Sequence, residues 1–260
     1  MAGILRYHAR PESAMRHTMG KRRQAARGVK RSVLRRLLRW LMTAVVGLTM
    51  LFLCLIVALR WVDPPTSSVM IQDRLARTSA IEYQWVDSNR ISPHLSLAVI
   101  AAEDQRFPTH HGIDLDATLD ALENNLAGGA VRGGSTITQQ VAKNLFLWNG
   151  RSYVRKGLEA TIALIMEQVL SKRRILEIYL NIAQMGPGIF GAQAAAEAHF
   201  KRSAAKLTRT QAAAIAAVLP SPNRYSIKAP SPYMRQRQRW ILDQMRALGG
   251  IGYLDTLTQG

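Results

Sequence analysis

The chain has 260 residues, of which 48% are hydrophobic, so it is too apolar to be intrinsically disordered and long enough to bury a substantial core. Its single cysteine, Cys54, excludes an internal disulfide scaffold, and the sequence has no Cys/His cluster that would form a structural zinc module. The 35 Lys and Arg residues outnumber the 17 Asp and Glu residues, which gives a formal net charge of +18.

Most of the excess positive charge lies in residues 1–40. This leader contains twelve basic residues and one acidic residue, Glu12, for a local charge of +11. Clustered basic residues often bind nucleic acid, but the sequence has no zinc-finger, zipper or RNP signature. Basic segments beside a membrane span are instead attracted to anionic lipids. We therefore predict that the leader binds membrane lipids and that the protein has no nucleic-acid partner.

Residues 41–60 are predicted to form a single transmembrane helix. The segment from Leu41 to Leu59 has no charged residue, and as a helix it would span roughly 28 Å, close to the thickness of a bilayer core. Trp40 and Trp61 suit the two membrane interfaces. A cleaved signal peptide is the alternative, but the apolar stretch is longer than a usual h-region and no A-x-A-like site follows it. The positive-inside rule places residues 1–40 in the cytoplasm and residues 61–260 across the membrane.

Residues 61–260 are predicted to form one extracytoplasmic domain that is mainly α-helical. A short linker with prolines at positions 64 and 65 precedes it, and the best strand signal is Ile81 to Val86. The predicted helices are one from Ser92-Pro93 through Ala102, one capped by Asp114 and ended by Gly128-Gly129, one through Ile137, Val141 and Leu145, one through Leu158, Ile162, Ile165 and Val169, one capped by Ser171, one beginning at Thr208 or Thr210, and one from Tyr233 to Leu248.

Glu103 is the first candidate catalytic residue. It follows the apolar run AVIAA, where a carboxyl group at a helix end can be partly desolvated. Desolvation raises the pKa of a carboxyl group toward a value that is useful in catalysis. An exposed Glu-Asp pair at a helix end is the simpler interpretation of this segment when it is taken alone.

A group of polar and basic residues follows a glycine-rich loop. If Ile137, Val141 and Leu145 face the core, the polar side of the same helix carries Gln139, Gln140 and Lys143. A solvated helix face, with an ordinary helical ion pair between Arg155 and Glu159, is the alternative interpretation. Basic side chains at this density can also bind phosphate groups, and four occur within fourteen residues: Lys143, Arg151, Arg155 and Lys156.

Five segments in order resemble the motifs of the peptidoglycan glycosyltransferase family, over residues 92 to about 246. They are EDQRFPTHHG, GGSTITQQ, RKGLE, KRRILEIYLN and RQRWIL. A single domain on a membrane anchor resembles the monofunctional members of this family. The resemblance implies a lysozyme-like helical glycosyltransferase domain that follows the single N-terminal transmembrane helix.

The resemblance also implies a reaction and its substrates. A growing glycan strand linked to undecaprenyl pyrophosphate would be transferred, with inversion, to the 4-hydroxyl of a lipid II acceptor. This would occur on the periplasmic side of the bacterial inner membrane. A divalent cation, Mg²⁺ or Mn²⁺, would assist departure of the pyrophosphate, and proteins of cell-wall synthesis or division would be partners.

The residue roles are carried over by matching motif positions. Two catalytic residues are implied: Glu103 would be the general base, and Glu159 matches the second acidic position, near the donor phosphates. The residues that match positions binding the pyrophosphate and sugars are Ser135, Gln140, Lys143, Arg151 and Arg155, and Arg237 is carried over from the last motif.

The chain departs from the family pattern at two positions, and its fourth motif suits a structural role. Gln238 and Leu158 occupy positions that are basic in some relatives. The matching residues of the fourth motif lie on a helix with an apolar stripe, so we predict that they are structural and not part of the site: Lys172, Glu177, Tyr179 and Asn181.

Two other functions are possible from the sequence. A membrane-anchored muramidase or lytic enzyme would also use one acidic residue, but it would not need the basic residues from Lys143 to Lys156. An inactive binding module is the other alternative.

Overall fold

The computed structural model describes residues 12–76, 80–117, 119, 134–150 and 152–258. By internal contacts the chain divides into two compact units, residues 1–55 and residues 56–260. The predicted helix that begins at Asp114 lies mostly outside the described residues, and so does Arg151.

Helix α1, Glu12–Ala58, is a single 47-residue helix. Its part from Arg35 to Ala58 is long and apolar enough to cross a membrane. Within the first unit, the apolar side chains from Leu37 to Leu51 are mostly exposed, as expected of a helix that lipid surrounds. The hydroxyls of Thr43 and Thr49 donate to carbonyl oxygens four residues earlier in the helix (both 2.9 Å), so their polar groups are satisfied without water. The predicted boundaries at residues 40 and 60 stay predictions.

The second unit is mainly helical, as predicted. The helices whose full extent lies within the described residues are α2 (Ser68–Ala76), α3 (Pro93–Glu103), α4 (Ile137–Phe146), α5 (Tyr153–Val169), α6 (Lys172–Ile182), α7 (Ala192–Phe200), α8 (Arg209–Val218) and α9 (Pro232–Ala247). Short 3-10 segments occur at Ser88–Arg90, Ala204–Lys206 and Gly250–Thr258.

Helix α3 is the central helix of this unit, since residues 97–101 are at most 1% exposed. It packs against α8 and α9, whereas α4 packs against α5 and α6. The carboxyl end of α3 carries Glu103 to the place where these two groups of helices meet.

Polar residues at the helix starts explain where several helices begin. Thr136 and Thr208 form capping boxes with Gln139 and Gln211, respectively, and so satisfy backbone N–H groups of α4 and α8. The hydroxyls that cap α5, α6 and α9 belong to Ser152, Ser171 and Ser231. Ser92 occupies the predicted position before α3, but its hydroxyl donates to the carbonyl of Leu207 (2.8 Å) instead of capping the helix.

The predicted strand from Ile81 to Val86 is much shorter in the structure. Only β1, Glu82–Tyr83, forms sheet bonds, in a three-stranded sheet ordered β1-β3-β2 with β2 at Gln184–Gly186 and β3 at Ile189–Phe190. Strand β1 is parallel to β3, and β2 is antiparallel to it. Both backbone groups of Val86 bond to the side-chain amide of Asn181 (both 2.9 Å), so this residue is satisfied without a partner strand.

Gly191, between β3 and α7, is expected to be intolerant of substitution. Its φ is +84°, and an added Cβ would overlap the carbonyl of Asn181. Gly191→Ala should therefore lower the free energy of unfolding by about 2–5 kcal/mol, through backbone strain and overpacking. Thermal unfolding of the full chain in detergent measures the effect, which corresponds to a fall of roughly 5–15 °C.

Gly157→Ala is the matched control for this prediction. Gly157 lies within α5, and an added Cβ would meet nothing within 4 Å. Alanine is the better helix former, so this change should leave the stability equal or raise it by about 0.5–1 kcal/mol. Equal stability of the two variants would contradict the strain assigned to position 191.

Candidate active site

The carboxylate of Glu103 lies between two helices that are distant in the sequence. Its Oε2 accepts a hydrogen bond from Nε2 of Gln140 on α4 (2.9 Å). Its Oε1 lies 3.5 Å from Nη2 of Arg237 on α9. Only 13% of the Glu103 side chain is exposed. The carboxylate is therefore held by one neutral donor and one cation, and a small part of it remains accessible.

Burial has the largest effect on the carboxyl group of Glu103 and raises its pKa above the ordinary value for glutamate. The hydrogen bond from Gln140 and the positive charges of Arg237 and Lys143 lower this pKa, whereas the neighbouring charge of Asp104 raises it. The net shift is upward, so the ionised group is a stronger base than an exposed glutamate.

The side-chain amide of Gln140 is bonded at both ends. While its Nε2 donates to Glu103, its Oε1 accepts from the hydroxyl of Tyr179 on α6 (3.1 Å). Tyr179 is 1% exposed, and burial together with the charges of Glu103 and Asp104 raises its pKa well above the ordinary value. The sequence predicts Gln140 as a substrate-binding residue and places Tyr179 outside the site, whereas the structure connects both to the candidate base.

Asp104 fixes the loop that follows Glu103. Its Oδ2 accepts from the backbone N–H of Ile137 (2.9 Å), at the start of α4 where a negative charge is favourable. Both of its oxygens lie within 3.0 Å of Nε2 of His110. Because Nδ1 of His110 accepts the N–H of Gly112 (3.2 Å), the ring proton belongs on Nε2 and is donated to Asp104. These bonds hold the start of α4, and hence Gln140, beside Glu103.

Residues of the fourth motif, KRRILEIYLN, contact the first motif, EDQRFPTHHG, and the segment that precedes it. Nζ of Lys172 donates to the carbonyl of His110 (2.5 Å), pairs with Glu167 (2.8 Å) and lies over the ring of Phe107 (4.6 Å to its centroid). Glu177 accepts from the backbone N–H of Ser88 (2.6 Å). These contacts, with those of Asn181, agree with the predicted structural role of this motif, and Tyr179 is its exception.

Lys143 is a candidate cation that follows Gln140 by three positions on α4. Burial and the charge of Arg155 lower the pKa of Lys143, whereas the charge of Glu103 raises it. Within the part of the chain that the structure describes, its ammonium group has no hydrogen-bond or ion-pair partner. It therefore interacts electrostatically with both the candidate base and the next group of cations, and can accept an anionic ligand.

A network on α5 holds the other cations. Glu159, whose side chain is 5% exposed, is ion-paired with both Arg155 and Lys156, and the Lys156 distance is 3.1 Å. Lys156 also donates to the hydroxyl of Ser135 (2.6 Å), in the loop before α4. Burial and the charges of Arg155 and Lys143 lower the pKa of Lys156. Nε of Arg155 is buried without a hydrogen-bond partner in the described residues, so this guanidinium has an unused donor.

The structure brings most of the sequence-predicted residues together. Glu103 is joined to Gln140 and Arg237 by direct contacts, and the members linked by contacts on or beside α5 are Ser135, Arg155 and Glu159. Lys143 connects the two groups electrostatically. At the two departures from the family pattern, Gln238 donates to the carbonyl of Thr210 (2.9 Å), and Leu158 is 40% exposed.

Comparison with known proteins identifies the family. A family model described as transglycosylase matches residues 71–246, which is most of the chain. The chain belongs to the transglycosylase family. The family has a lysozyme-like helical fold, so the predicted fold class is confirmed.

Similar proteins from three bacteria extend this result. The enzyme is 50% identical over 228 residues to the biosynthetic peptidoglycan transglycosylase of Shewanella oneidensis, covering 86% of this chain and 96% of the relative. It is 49% identical over 226 residues to that of Xanthomonas campestris pv. campestris, covering 85% and 92%. It is 49% identical over 232 residues to that of Pseudomonas aeruginosa, covering 86% and 97%. The similarity therefore extends over nearly the whole length of each relative.

Proposed function

We propose roles for individual residues in the reaction of this enzyme. The enzyme is a peptidoglycan glycosyltransferase, which polymerises glycan strands for the bacterial cell wall. Its substrates are the glycan strand and lipid II. One observation carries the proposal: the desolvated but accessible carboxylate of Glu103 contacts Arg237 and interacts electrostatically with Lys143, which in turn interacts with Arg155 and Lys156. A group of basic side chains of this kind suits an anionic phosphate ligand. We call this group the cationic group and define it as Lys143, Arg155, Lys156 and Arg237.

Glu103 is proposed as the general base. It takes the proton from the 4-hydroxyl of the lipid II acceptor as that oxygen attacks the anomeric carbon of the donor strand. The bond between this carbon and the pyrophosphate oxygen breaks, and the electron pair leaves with undecaprenyl pyrophosphate. A single displacement inverts the anomeric centre, so the protein needs no nucleophile of its own.

The cationic group is proposed to bind the pyrophosphate as its negative charge grows. Fixed cations in a partly dry site stabilise such a charge better than mobile water does. Glu159 does not accept a proton in this mechanism, because it is buried and already paired with Arg155 and Lys156. We propose that Glu159 holds these two cations in position.

The other predicted substrate-binding residues are Ser135, Gln140 and Arg151. Their roles remain predictions, and Arg151 lies outside the described residues.

The divalent cation implied by the family is a separate proposal. Among the residues that the structure describes, no three His, Cys, Asp or Glu side chains are grouped to hold a metal ion. The carboxylates of Glu103 and Glu159 both lie against positively charged side chains. The described residues therefore do not fit a cation site made by protein alone. We propose that Mg²⁺ or Mn²⁺ arrives on the pyrophosphate of the substrate, whose oxygens are suitable hard ligands.

The protein is membrane-anchored, and its orientation is a further proposal. We propose that residues 1–40 lie in the cytoplasm and that residues 61–260 lie in the periplasm, because the basic leader follows the positive-inside rule. Anchoring the catalytic domain beside the bilayer keeps it close to lipid-linked substrates, which lowers the entropic cost of bringing donor and acceptor together. Proteins of wall synthesis or division are also proposed as partners.

Incubation of the purified full chain with labelled lipid II tests the function directly. We expect long glycan strands to accumulate, and undecaprenyl pyrophosphate to be released in step with them. A muramidase or lytic enzyme would instead shorten preformed strands, and the family membership does not favour that alternative. Shortening of strands without any growth would contradict the proposed reaction.

The pH dependence of the reaction should be bell-shaped. Since burial raises the pKa of Glu103, the base form is lost as the pH falls through a value above that of an ordinary glutamate. Since burial lowers the pKa of Lys143, the charged ammonium is lost as the pH rises through a value below that of an ordinary lysine. Measurement of kcat/KM against pH gives both limits.

Arg237→Gln should move the acid limb of this profile to higher pH. The guanidinium of Arg237 lowers the pKa of Glu103, so its removal raises that pKa further. Arg239→Gln is the matched control, because Arg239 is an exposed residue on the same helix. An acid limb that stays in place in Arg237→Gln, or moves to lower pH, would contradict the assignment of this limb to Glu103.

A further inference from the structure

The buried hydroxyl of Tyr179 points at the amide that supports the candidate base. We propose that Tyr179 is a positioning residue for glycan transfer: by donating to Oε1 of Gln140, it fixes the amide so that Nε2 faces the carboxylate of Glu103. This inference rests on the proposed role of Glu103 as general base. It assigns a function to a residue that the sequence pattern places among structural ones.

The two ends of a glutamine amide are nearly equal in shape and opposite in hydrogen-bonding character. The oxygen can only accept, and the nitrogen can only donate. If the amide of Gln140 rotated by half a turn, its oxygen would face the negative oxygen of Glu103, and the two would repel. The phenol hydroxyl favours the productive rotamer because its proton is donated to the amide oxygen at 3.1 Å. The orientation of the amide is therefore specified from both sides.

Tyr179 is well suited to this task because it is rigidly held and stays protonated. It is 1% exposed, on a helix whose residues 175, 178 and 182 are also buried and which packs against α4. Burial raises its pKa well above the ordinary value, and the nearby charges of Glu103 and Asp104 add to this effect. The hydroxyl therefore remains a neutral donor throughout the pH range in which Glu103 titrates.

The charged groups around Glu103 define what the loss of this hydroxyl should change. Asp104 follows it on the chain and raises its pKa, whereas Lys143 from α4 and Arg237 from α9 lower it. Tyr179, from α6, is uncharged. The bond from Gln140 also lowers the pKa of Glu103. If Gln140 is no longer oriented, this stabilisation of the carboxylate is lost while the three charges stay in place. The pKa of Glu103 then rises.

Tyr179→Phe is the test variant, since it removes the hydroxyl and keeps the buried ring. We expect kcat/KM for lipid II polymerisation to fall about tenfold at neutral pH, and the acid limb of the pH profile to move to higher pH. Gln140→Ala should move the same limb in the same direction. In the double variant, Tyr179→Phe should add almost nothing to Gln140→Ala, because the tyrosine acts through the glutamine.

Tyr253→Phe is the matched control. The Tyr253 hydroxyl donates to the carbonyl of Gln105 (2.7 Å), so this variant also loses a tyrosine hydrogen bond close to the site. It should leave the acid limb unchanged. Thermal unfolding of each variant separates loss of fold from loss of positioning.

Two results would overturn the inference: an acid limb that stays in place in Tyr179→Phe while Gln140→Ala moves it, or effects of the two variants that add fully. Failure of the underlying function gives a different result, because Glu103→Gln would then polymerise lipid II as well as the unmodified enzyme does. The pH profile thus distinguishes a wrong positioning residue from a wrong base.

Discussion

Replacement of Glu103 by glutamine is expected to lower the rate of glycan polymerisation by about 10²- to 10⁴-fold, the usual contribution of a general base. Glutamine has nearly the same shape as glutamate, but its amide cannot take a proton from the acceptor hydroxyl. The charge that pairs with Arg237 is also lost, although the cationic group remains to bind the donor. Polymerisation of labelled lipid II by the full chain in detergent measures the effect as a change in kcat.

Glu82→Gln is the control for this substitution. Glu82 lies in β1 with an exposed side chain, so Glu82→Gln replaces a carboxylate by an amide away from the site. Its rate should equal that of the unmodified enzyme. If Glu103→Gln polymerised lipid II at the unmodified rate while remaining folded, Glu103 could not be the base. Because the domain would still be polymerising lipid II, that result would also exclude an inactive binding module.

Lys143→Met is expected to lower kcat by about 10²- to 10³-fold, which is typical for loss of one preorganised group that stabilises charge in a transition state. Lys143 has no hydrogen-bond or ion-pair partner among the described residues, so its charge is available to the substrate. Methionine keeps an unbranched apolar side chain in this partly buried position. Because the charge on the pyrophosphate grows during bond cleavage, kcat should fall more than KM rises.

Lys206→Met provides the comparison for Lys143. Lys206 is exposed at the end of the 3-10 segment Ala204–Lys206, so the same change in charge occurs there without burial. Its kinetic constants should be unchanged. A Lys143→Met enzyme that shows a raised KM and an unchanged kcat would indicate that Lys143 binds the donor equally in its ground state, which would contradict the proposed role.

The sequence predicts helix positions well because most of their determinants are local. The hydroxyls of Ser171 and Thr208 bond to N–H groups three residues later, and the apolar stripe of α6 is buried as its spacing indicates. The span in α1 is equally local, since only the composition of one segment decides it. The helix containing Leu158 begins earlier than its apolar pattern, because Ser152 caps it.

Contacts between distant segments explain what the sequence does not predict. The strand at Glu82–Tyr83 is short because the side chain of Asn181, about 95 residues later, satisfies the backbone of Val86. Tyr179 is missed for a similar reason. Its ring belongs to an apolar stripe, and periodicity gives no sign that its hydroxyl meets an amide on another helix. Arg237 and Glu103 are also joined only by tertiary packing.

A structure of the Glu103→Gln enzyme bound to lipid II and a lipid-linked donor strand would test the proposed site most directly. Without a base, both substrates should remain uncleaved in the complex. We predict that the 4-hydroxyl of the acceptor lies within hydrogen-bond distance of the side chain at position 103, and that the donor pyrophosphate contacts Lys143 and Arg155. An acceptor hydroxyl far from position 103, or a pyrophosphate that contacts neither cation, would contradict the mechanism.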